Sequence, residues 1–146
     1  MSEPAHLADR TEIADLLSRL NHWLDDHRLS WQDDRRYADL DRLYTTDTVA
    51  RSPRGTVHGL DELIAHVRSH STDAQRTQHV TSDVLIDVDG DQANVTANTV
   101  VYFYRPDEGP FLATGLRASF TAVRTPLGWR LASTEMTPLW RTPLTA

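Results

Sequence analysis

Apolar residues at helical spacing mark three segments in the first half of the chain. Between residues 7 and 24 they recur at steps of three and four, which predicts one stripe of an amphipathic helix: Ile13, Leu16, Leu17, Leu20 and Leu24. A second helix is predicted over residues 33–44, where the shared face consists of Tyr37, Leu40, Leu43 and Tyr44. A third helix is predicted to begin near Gly59 and to end near His70.

The helical spacing of apolar residues is interrupted at residues 49–57, and it gives way to a strand-like pattern beyond Ser71. Residues 49–57 contain a serine–proline pair and a glycine, which predicts short extended pieces around a turn. Beyond Ser71, β-branched and aromatic residues alternate with clusters of glycine, aspartate and proline. This texture predicts four long strands, at residues 77–88, 92–104, 111–124 and 129–140. The tight-turn sequence at 89–91 joins the first two strands as a hairpin.

Helices followed by a run of antiparallel strands predict an α+β domain in which helices cover one face of a sheet. Long strands twist, so the sheet is expected to curve and to leave a cavity between its concave face and the helices. A length of 146 residues predicts a single domain, residues 1–146.

Composition excludes several classes of function. The chain has no cysteine, which rules out disulfides, thiolate metal sites and cysteine nucleophiles. Fifteen Lys and Arg face twenty-one Asp and Glu, so a nucleic-acid surface is not expected. No apolar run approaches the roughly 18 residues of a membrane span, and no signal segment is evident, so a cytoplasmic location is predicted.

Neither a metal nor an organic cofactor is predicted. His66 and His70 stand four apart on one helix, but no third ligand accompanies them. A glycine-rich phosphate loop, a G-x-S-x-G elbow and a dinucleotide fingerprint do not occur in the sequence.

Three stretches carry a resemblance to a known family: LDDHRLSWQDDRRYADLDRLYTTDTVA, RTQHV and GWRLASTEMTPLW. With the order of elements, they resemble the SnoaL-like group of the nuclear transport factor 2-like superfamily. That group is similar in fold to scytalone dehydratase, polyketide cyclases, ketosteroid isomerase and limonene epoxide hydrolase. The resemblance implies a curved, mostly antiparallel sheet, shaped as a cone-like barrel, wrapped around N-terminal helices.

Two residues match the dehydratase-like pattern of this family and are the candidate catalytic pair. Asp25 stands near the end of the first helix, where the pattern has an acid, and His79 stands where it has a histidine that opens the first long strand. An imidazole exchanges protons near neutral pH, and a neighbouring carboxylate fixes its tautomer. Asp26 is the alternative acid if the helix is rotated by one residue. The structural alternative for His79 is a strand histidine satisfied by backbone or solvent.

Other positions depart from that pattern and supply weaker candidates. Its second histidine is absent, since the nearest positions are Ala97 and Asn98, and its tyrosine beside the acid is replaced by Leu24. Ketosteroid isomerases carry their base where this chain has Ser52, which disfavours that chemistry. The residues assigned to substrate binding are Leu20, Leu24, Asn98, Tyr102, Arg117 and Glu135. Alternation puts Asn98 and Tyr102 on one face of their strand and Ala97 and Val101 on the other, and either face could be concave.

These observations predict a cofactor-independent, dehydratase-like lyase or isomerase. His79 and Asp25 act in general acid–base catalysis on a small hydrophobic oxygenated ring, such as a polyketide or a steroid. The alternatives are an aldol-type polyketide cyclase of secondary metabolism, with Glu135 as a base, and a non-catalytic ligand-binding or assembly module. Apolar residues on both faces of the 92–104 strand predict a homo-oligomer, a dimer or trimer, formed through the sheet.

Overall fold

A six-stranded sheet curves over one long helix in the computed structural model, which describes residues 3–144, with side chains from His6 onward. The helices are α1 (Glu3–Asp25) and α2 (Leu60–His70). The strands are β1 (Tyr44–Ser52), β2 (Gly55–His58), β3 (Arg76–Asp89), β4 (Gln92–Tyr104), β5 (Pro110–Thr125) and β6 (Gly128–Pro143). Residues 1–2 and 145–146 of the predicted single domain lie outside the described residues, and its single-domain character stays a prediction.

The strand order is β2-β1-β6-β5-β4-β3, and the predicted α+β architecture with a curved, mostly antiparallel sheet is confirmed. Neighbours pair antiparallel except β1 and β6, which run parallel. The described sheet stays open, with β2 and β3 at its two edges. An edge strand presents unpaired backbone groups, and those of β3 matter for the site.

The predicted stripe of α1 forms the centre of the core. Ile13, Leu16, Leu17 and Leu20 are all at most 6% exposed, because the concave face of the sheet covers them. The sheet contributes the fully buried Trp129 and Leu131 from β6, together with Val95 and Phe120. The helix is tied down near its start, where buried Asp9 accepts hydrogen bonds from the Arg124 side chain and the Trp129 indole.

The predicted helix over residues 33–44 is wrong. Two short 3₁₀ turns, Asp34–Tyr37 and Leu40–Arg42, occupy the segment instead, and β1 begins at Tyr44. The buried side chains Tyr37, Leu40 and Leu43 recur every three residues, which is the repeat of a 3₁₀ helix. The segment must also extend at Tyr44, which pairs with Leu131 of β6, so an α-helix through this residue is not compatible with the sheet.

The remaining elements follow the predicted pattern. The extended pieces at 49–57 belong to β1 and β2, the third helix is α2, and the four long strands are β3 to β6. Gly90 supplies the positive φ at the first central position of the two-residue β3–β4 turn. A bulge in β3 places Asp83 at φ 53°, a conformation that aspartate tolerates better than most residues, and increases the local twist of this edge strand.

Replacement of a core leucine should measure how strongly the sheet holds α1. Leu131→Ala removes a fully buried side chain of β6, so the free energy of unfolding should fall by about 2–5 kcal/mol in urea denaturation. The control Leu127→Ala changes a side chain that is 84% exposed in the β5–β6 turn, and should shift it by less than about 0.5 kcal/mol. Equal effects of the two substitutions would contradict this packing.

Candidate active site

The end of α1 is attached to the edge strand β3 through side chains that bind its free N–H groups. His79 donates its backbone N–H to Asp25 Oδ2 over 2.8 Å. Thr77, two residues earlier, donates its backbone N–H to His27 Nε2 over 3.1 Å. Alternate N–H groups of an edge strand point away from the sheet, which is why residues 77 and 79 both reach the helix end. The side chains of Asp25 and His27 thus accept the backbone hydrogen bonds that a further strand beside β3 would otherwise accept.

Asp25 and His79 form the pair that the sequence predicts. His79 Nδ1 lies 2.6 Å from Asp25 Oδ1, and the side chains of His79 and Asp25 are 15% and 22% exposed, respectively. The hydroxyl of Thr77 donates a third hydrogen bond to this carboxylate, over 3.0 Å. An ionised carboxylate only accepts hydrogen bonds, so Nδ1 carries the hydrogen in this contact and Nε2 is the nitrogen that can act as a base.

The environment of Asp25 keeps it ionised. Burial, the largest single influence, raises the pKa of this carboxyl, but the hydrogen bonds from the ring and backbone of His79 and from Thr77 lower it by more. The net pKa therefore lies below the ordinary value of an aspartate. A permanent negative charge beside Nδ1 stabilises the imidazolium that forms when Nε2 takes up a proton.

The imidazole lies at the junction of a partly enclosed cavity and an open groove. The cavity has a volume of about 120 Å³ and lies between α1 and the concave face of the sheet. Its lining is mostly apolar and comprises Leu17, Leu20, Asn21, Leu24, His79, Thr81, Thr99, Leu116, Phe120 and Met136. The groove, about 1200 Å³, shares His79, Asn21 and Thr81 with the cavity and opens to solvent past Arg28 and Glu108. A ligand can therefore approach His79 from the groove.

Arg36 holds the chain beyond α1 in place, and sequence reasoning missed it. Its side chain is 6% exposed and donates hydrogen bonds to the carbonyls of Trp23, Asp26 and Leu29. The guanidinium carbon lies 3.6 Å from the ring centroid of Trp31. Burial lowers the pKa of this arginine. The carbonyls at a helix C-terminus carry partial negative charge, so a buried cation fixes the helix end that bears Asp25.

The predicted site residues divide between the two faces of the sheet. Leu20 and Leu24 line the cavity beside His79. Tyr102, like Asn98, lies on the opposite face, because the residues that pair with His79 and Thr81 on the concave side are Val101 and Thr99. Tyr102 reaches only the rim of the open groove.

Arg117 and Glu135 also project from the outer face, as their register with Asn98 and Ser119 requires, and both are exposed. There Arg117 donates to Asn98 Oδ1 over 2.8 Å, and Asn98 donates to Asp83 over 3.1 Å. The structure does not bring these four side chains to the cavity. Only the strand register and the position of α1 decide which face is concave, and neither is encoded in residue alternation.

Asp26, the alternative acid, points away from His79 and forms an ion pair with Arg28 at 2.7 Å. Hydrogen bonds from the side chain and backbone of Arg28 hold the pKa of Asp26 far below its usual range. Three further polar residues of the cavity wall, Asn21, Thr81 and Thr99, were missed. For two of them the sequence spacing indicates the position: Asn21 lies one helical turn before Asp25, and Thr81 lies two residues after His79, on the same face of its strand.

Among residues 3–144, no cluster of three or more His, Asp or Glu could hold a metal ion. His66 and His70 stack on each other with ring centroids 4.1 Å apart on the surface of α2, far from His79. None of the helices in this part of the chain combines the length and apolarity of a membrane crossing.

Comparisons with known proteins give one family match and many similar structures. The family model described as a SnoaL-like domain matches residues 5–135. A protein provisionally named scytalone dehydratase, from Novosphingobium aromaticivorans, is 17% identical with a TM-score of 0.79, over 99% of this chain and 93% of its own. The hexachlorocyclohexane dehydrochlorinase LinA-type3 from Novosphingobium barchaimii is 16% identical with a TM-score of 0.78, over 99% and 96% of the two chains.

A third structure extends the fold match beyond proteins named as enzymes. The nuclear transport factor 2-like superfamily protein from Salmonella enterica is 16% identical with a TM-score of 0.75, over 92% of this chain and 94% of its own. A comparison with curated proteins found no match. At these identities the structural neighbours establish the fold and not the reaction.

His27 should make the stability of the site depend on pH. Burial, the largest influence, with Arg36 and Arg76 nearby, lowers its pKa against the opposing effect of Asp25. A folded-state pKa below the unfolded value means that its contribution is complete above about pH 6.5 and is lost as the pH falls. The free energy of unfolding of wild type should therefore fall between pH 7 and 5 by more than that of His27→Gln, whose amide oxygen still accepts from Thr77.

The control is His58→Gln, which removes an exposed histidine and should keep the wild-type pH dependence. Urea denaturation at several pH values measures all three proteins. Parallel curves for wild type and His27→Gln would rule out this role.

Proposed function

The chain belongs to the SnoaL-like family, and on that premise we propose that it is a cofactor-independent enzyme of lyase type, which eliminates a leaving group from a small hydrophobic ring. One observation carries the proposal. The imidazole of His79 lines an apolar cavity while Asp25 holds its Nδ1 at 2.6 Å, so the basic Nε2 is the nitrogen available for a ligand. This is the arrangement of a general base with its orienting acid.

In the proposed reaction, Nε2 of His79 removes a proton from a carbon that is acidified by a neighbouring carbonyl or halogen. The C–H electron pair becomes a new double bond, and the leaving group departs with the electrons of its own bond to carbon. Asp25 stabilises the resulting imidazolium. The imidazolium then returns its proton to a departing hydroxide, which leaves as water, or to solvent when a halide departs. If the proton returns instead to another carbon, the same residues perform an isomerisation.

The cavity restricts the size of the ring. An apolar cavity of roughly 150 Å³ accommodates one benzene molecule. At about 120 Å³, the cavity beside His79 is somewhat smaller, so it holds at most a single six-membered ring. A fused skeleton such as a steroid or a polyketide would have to extend into the groove. The apolar lining also excludes water, which strengthens the electrostatic effect of Asp25 on the imidazole.

Two further observations favour elimination over the alternatives. The names of two structural neighbours, a dehydratase and a dehydrochlorinase, both describe eliminations. The aldol-type cyclase requires a base such as Glu135, but that carboxylate is exposed on the outer face of the sheet. A ligand-binding module without chemistry would need Asp25 only to attach α1 to β3 and would not need a basic Nε2, so the activity of His79 variants separates it from an enzyme.

Substitution of the pair should abolish base catalysis. The probe is 5-nitrobenzisoxazole, an aromatic compound of two fused rings that extends from the cavity into the groove, and that a general base opens by elimination to a coloured phenolate. We expect His79→Gln to lower kcat/KM for this probe by about 10²- to 10⁴-fold, because the proton acceptor is lost. Asp25→Asn should lower it by on the order of 10²-fold, because the amide no longer stabilises the imidazolium.

His58→Gln, which changes an exposed histidine on β2, is the matched control and should retain the wild-type rate. Circular dichroism checks that each variant is folded. Equal rates for wild type and folded His79→Gln would show that His79 is not a base, and would leave the ligand-binding module as the function.

The outer face of the sheet supports the proposal of a homo-oligomer. Val80 and Leu85 of β3 are 49% and 66% exposed, and Trp140 of β6, which lies over Gly115 of β5, is 46% exposed. A Cβ at Gly115 would come within 2.2 Å of the Trp140 ring, so the glycine permits the aromatic side chain to lie flat on the sheet. Exposed apolar side chains on one face are typical of subunit contacts. A cytoplasmic location stays a prediction.

Light scattering coupled to size exclusion tests this interface. Wild type should elute as a dimer or trimer, and Trp140→Glu should shift toward the monomer, because a buried unpaired charge is costly. Leu127→Glu, at an exposed turn away from this face, should leave the mass unchanged. A monomeric wild type would end the proposal.

A further inference from the structure

A second polar contact between α1 and β3 lies beside the Asp25–His79 pair. Asn21 of α1 donates its side-chain N–H to the hydroxyl of Thr81 on β3 over 2.8 Å. The hydroxyl of Thr81 lies 3.3 Å from that of Thr99, its partner on β4. All three side chains line the cavity that His79 also lines.

The two contacts are successive steps of one register between helix and strand. Asn21 and Asp25 are four residues apart on α1, which corresponds to an axial rise of about 6 Å. Thr81 and His79 are two residues apart on β3, which corresponds to about 6.6 Å on the same face of the strand. Because these repeats nearly match, the helix that places an acid on His79 also places an amide on Thr81.

The two threonine hydroxyls of this group have one hydrogen more than their contacts with each other and with Asn21 use. The amide of Asn21 supplies a hydrogen to Thr81 Oγ1, so that oxygen is already used as an acceptor. The two threonine hydroxyls carry two hydrogens and share one hydrogen bond with each other. Within residues 3–144 no other acceptor is hydrogen-bonded to either hydroxyl. One O–H is therefore available to a group inside the cavity.

The rest of the cavity wall makes this donor significant. Apart from His79, its other lining residues are leucines, Phe120 and Met136, which offer a ligand no O–H or N–H. A donor left without a partner in such surroundings is unfavourable, so a ligand that brings an acceptor to this place binds better than one that does not. The basic nitrogen and the donor lie on one wall, about one strand repeat apart.

We propose that the hydroxyls of Thr81 and Thr99, oriented by Asn21, form the binding site for the leaving group of the substrate. The leaving group is an oxygen or halogen that accepts a hydrogen bond on the carbon next to the one that His79 deprotonates. This inference rests on the proposed elimination, which it extends by giving the departing atom a place.

The roles of the three residues differ. As the C–H bond breaks at Nε2 of His79 and its electrons form the double bond, the bond to the leaving group breaks and negative charge collects on that atom. The threonine O–H donates a hydrogen bond to it, which stabilises this charge more than the neutral ground state. Asn21 does not touch the leaving group. It is a positioning residue, because its N–H occupies one lone pair of Thr81 Oγ1 and so turns the hydrogen of that hydroxyl away from the helix.

A series of benzisoxazoles whose phenolate products differ in basicity tests the site. The base opens each by removing the C–H proton, while the N–O bond breaks and its electrons go to the phenolate oxygen. Thr81→Val/Thr99→Val should lose about 3- to 10-fold in kcat/KM for the most basic phenolate, and less for better leaving groups. The plot of log kcat/KM against phenol pKa should therefore be steeper than in wild type. His79→Gln should lower the whole series.

The serine and asparagine variants separate chemistry from packing. Thr99→Ser keeps the hydroxyl and should keep the wild-type slope, whereas Asn21→Leu should steepen it as the threonine variants do. Thr134→Val, at a threonine 7% exposed on the same sheet face and outside the cavity lining, is the control and should leave rate and slope unchanged. An identical slope in wild type and Thr81→Val/Thr99→Val would overturn the assignment.

Ligand affinities test the proposed acceptor site without measuring a reaction rate. Wild type should bind cyclohexanone about 3- to 10-fold more tightly than methylenecyclohexane, which has the same shape without the acceptor oxygen. Thr81→Val/Thr99→Val should lose this preference, and Thr134→Val should retain it, in NMR titrations. If His79→Gln does not slow turnover, the elimination fails, but a preference that depends on the threonines still supports the acceptor site. An unchanged preference in the threonine variant rejects the site even when His79 proves to be the base.

Discussion

The unpaired N–H groups of the edge strand β3 are the constraint on which the site depends. A sheet that stays open must satisfy or protect its edge, and here the end of α1 does so with side chains. Asp25 therefore has two tasks that cannot be separated. The carboxylate that accepts the backbone N–H of His79 also accepts the ring N–H of the same residue, so the contact that attaches helix to sheet also sets the tautomer of the imidazole.

The fold surrounds this contact with elements that keep α1 in register. Asp9 and Glu12 accept hydrogen bonds from Trp129 near the start of the helix, and Arg36 binds carbonyls in its last turn and just beyond it. A buried arginine without a carboxylate partner is costly, because its charge is removed from water. Its neighbours compensate through three carbonyls and the faces of two tryptophans. The position of Asp25 is thus determined at both ends of the helix.

The matching repeats of helix and strand explain why polar side chains occur in the cavity only as a strip. Successive turns of α1 meet alternate residues of β3, so Asp25 and Asn21 face His79 and Thr81. The rest of the helix stripe is isoleucine and leucine and packs on the sheet. An apolar cavity with its polar groups on one wall orients a ligand by the few atoms that can hydrogen-bond. The proposed base and leaving-group sites follow from that single wall.

The secondary structure of the long elements was predictable because α1 and the strands β3 to β6 are periodic over many residues. The segment at 33–44 was not, because an apolar repeat of three to four residues fits two 3₁₀ turns as well as an α-helix, and the pairing of Tyr44 with Leu131 decided between them. Asp25 and His79 were found from a family pattern, whereas Asn21 and Thr81 could have been found from their spacing alone.

The sequence by itself determined the apolar stripe of α1, the strands and the hairpin at Gly90, because these depend on residues a few positions apart. It also indicated an acid and a histidine as candidate catalytic residues. Only the tertiary structure decided which face of the sheet is concave. It therefore excluded Asn98, Tyr102, Arg117 and Glu135 from the cavity and brought Thr99 into it. The physical reason is that alternation along a strand is symmetric between its two faces. The choice of face is made by where α1 packs, through contacts between residues more than fifty positions apart.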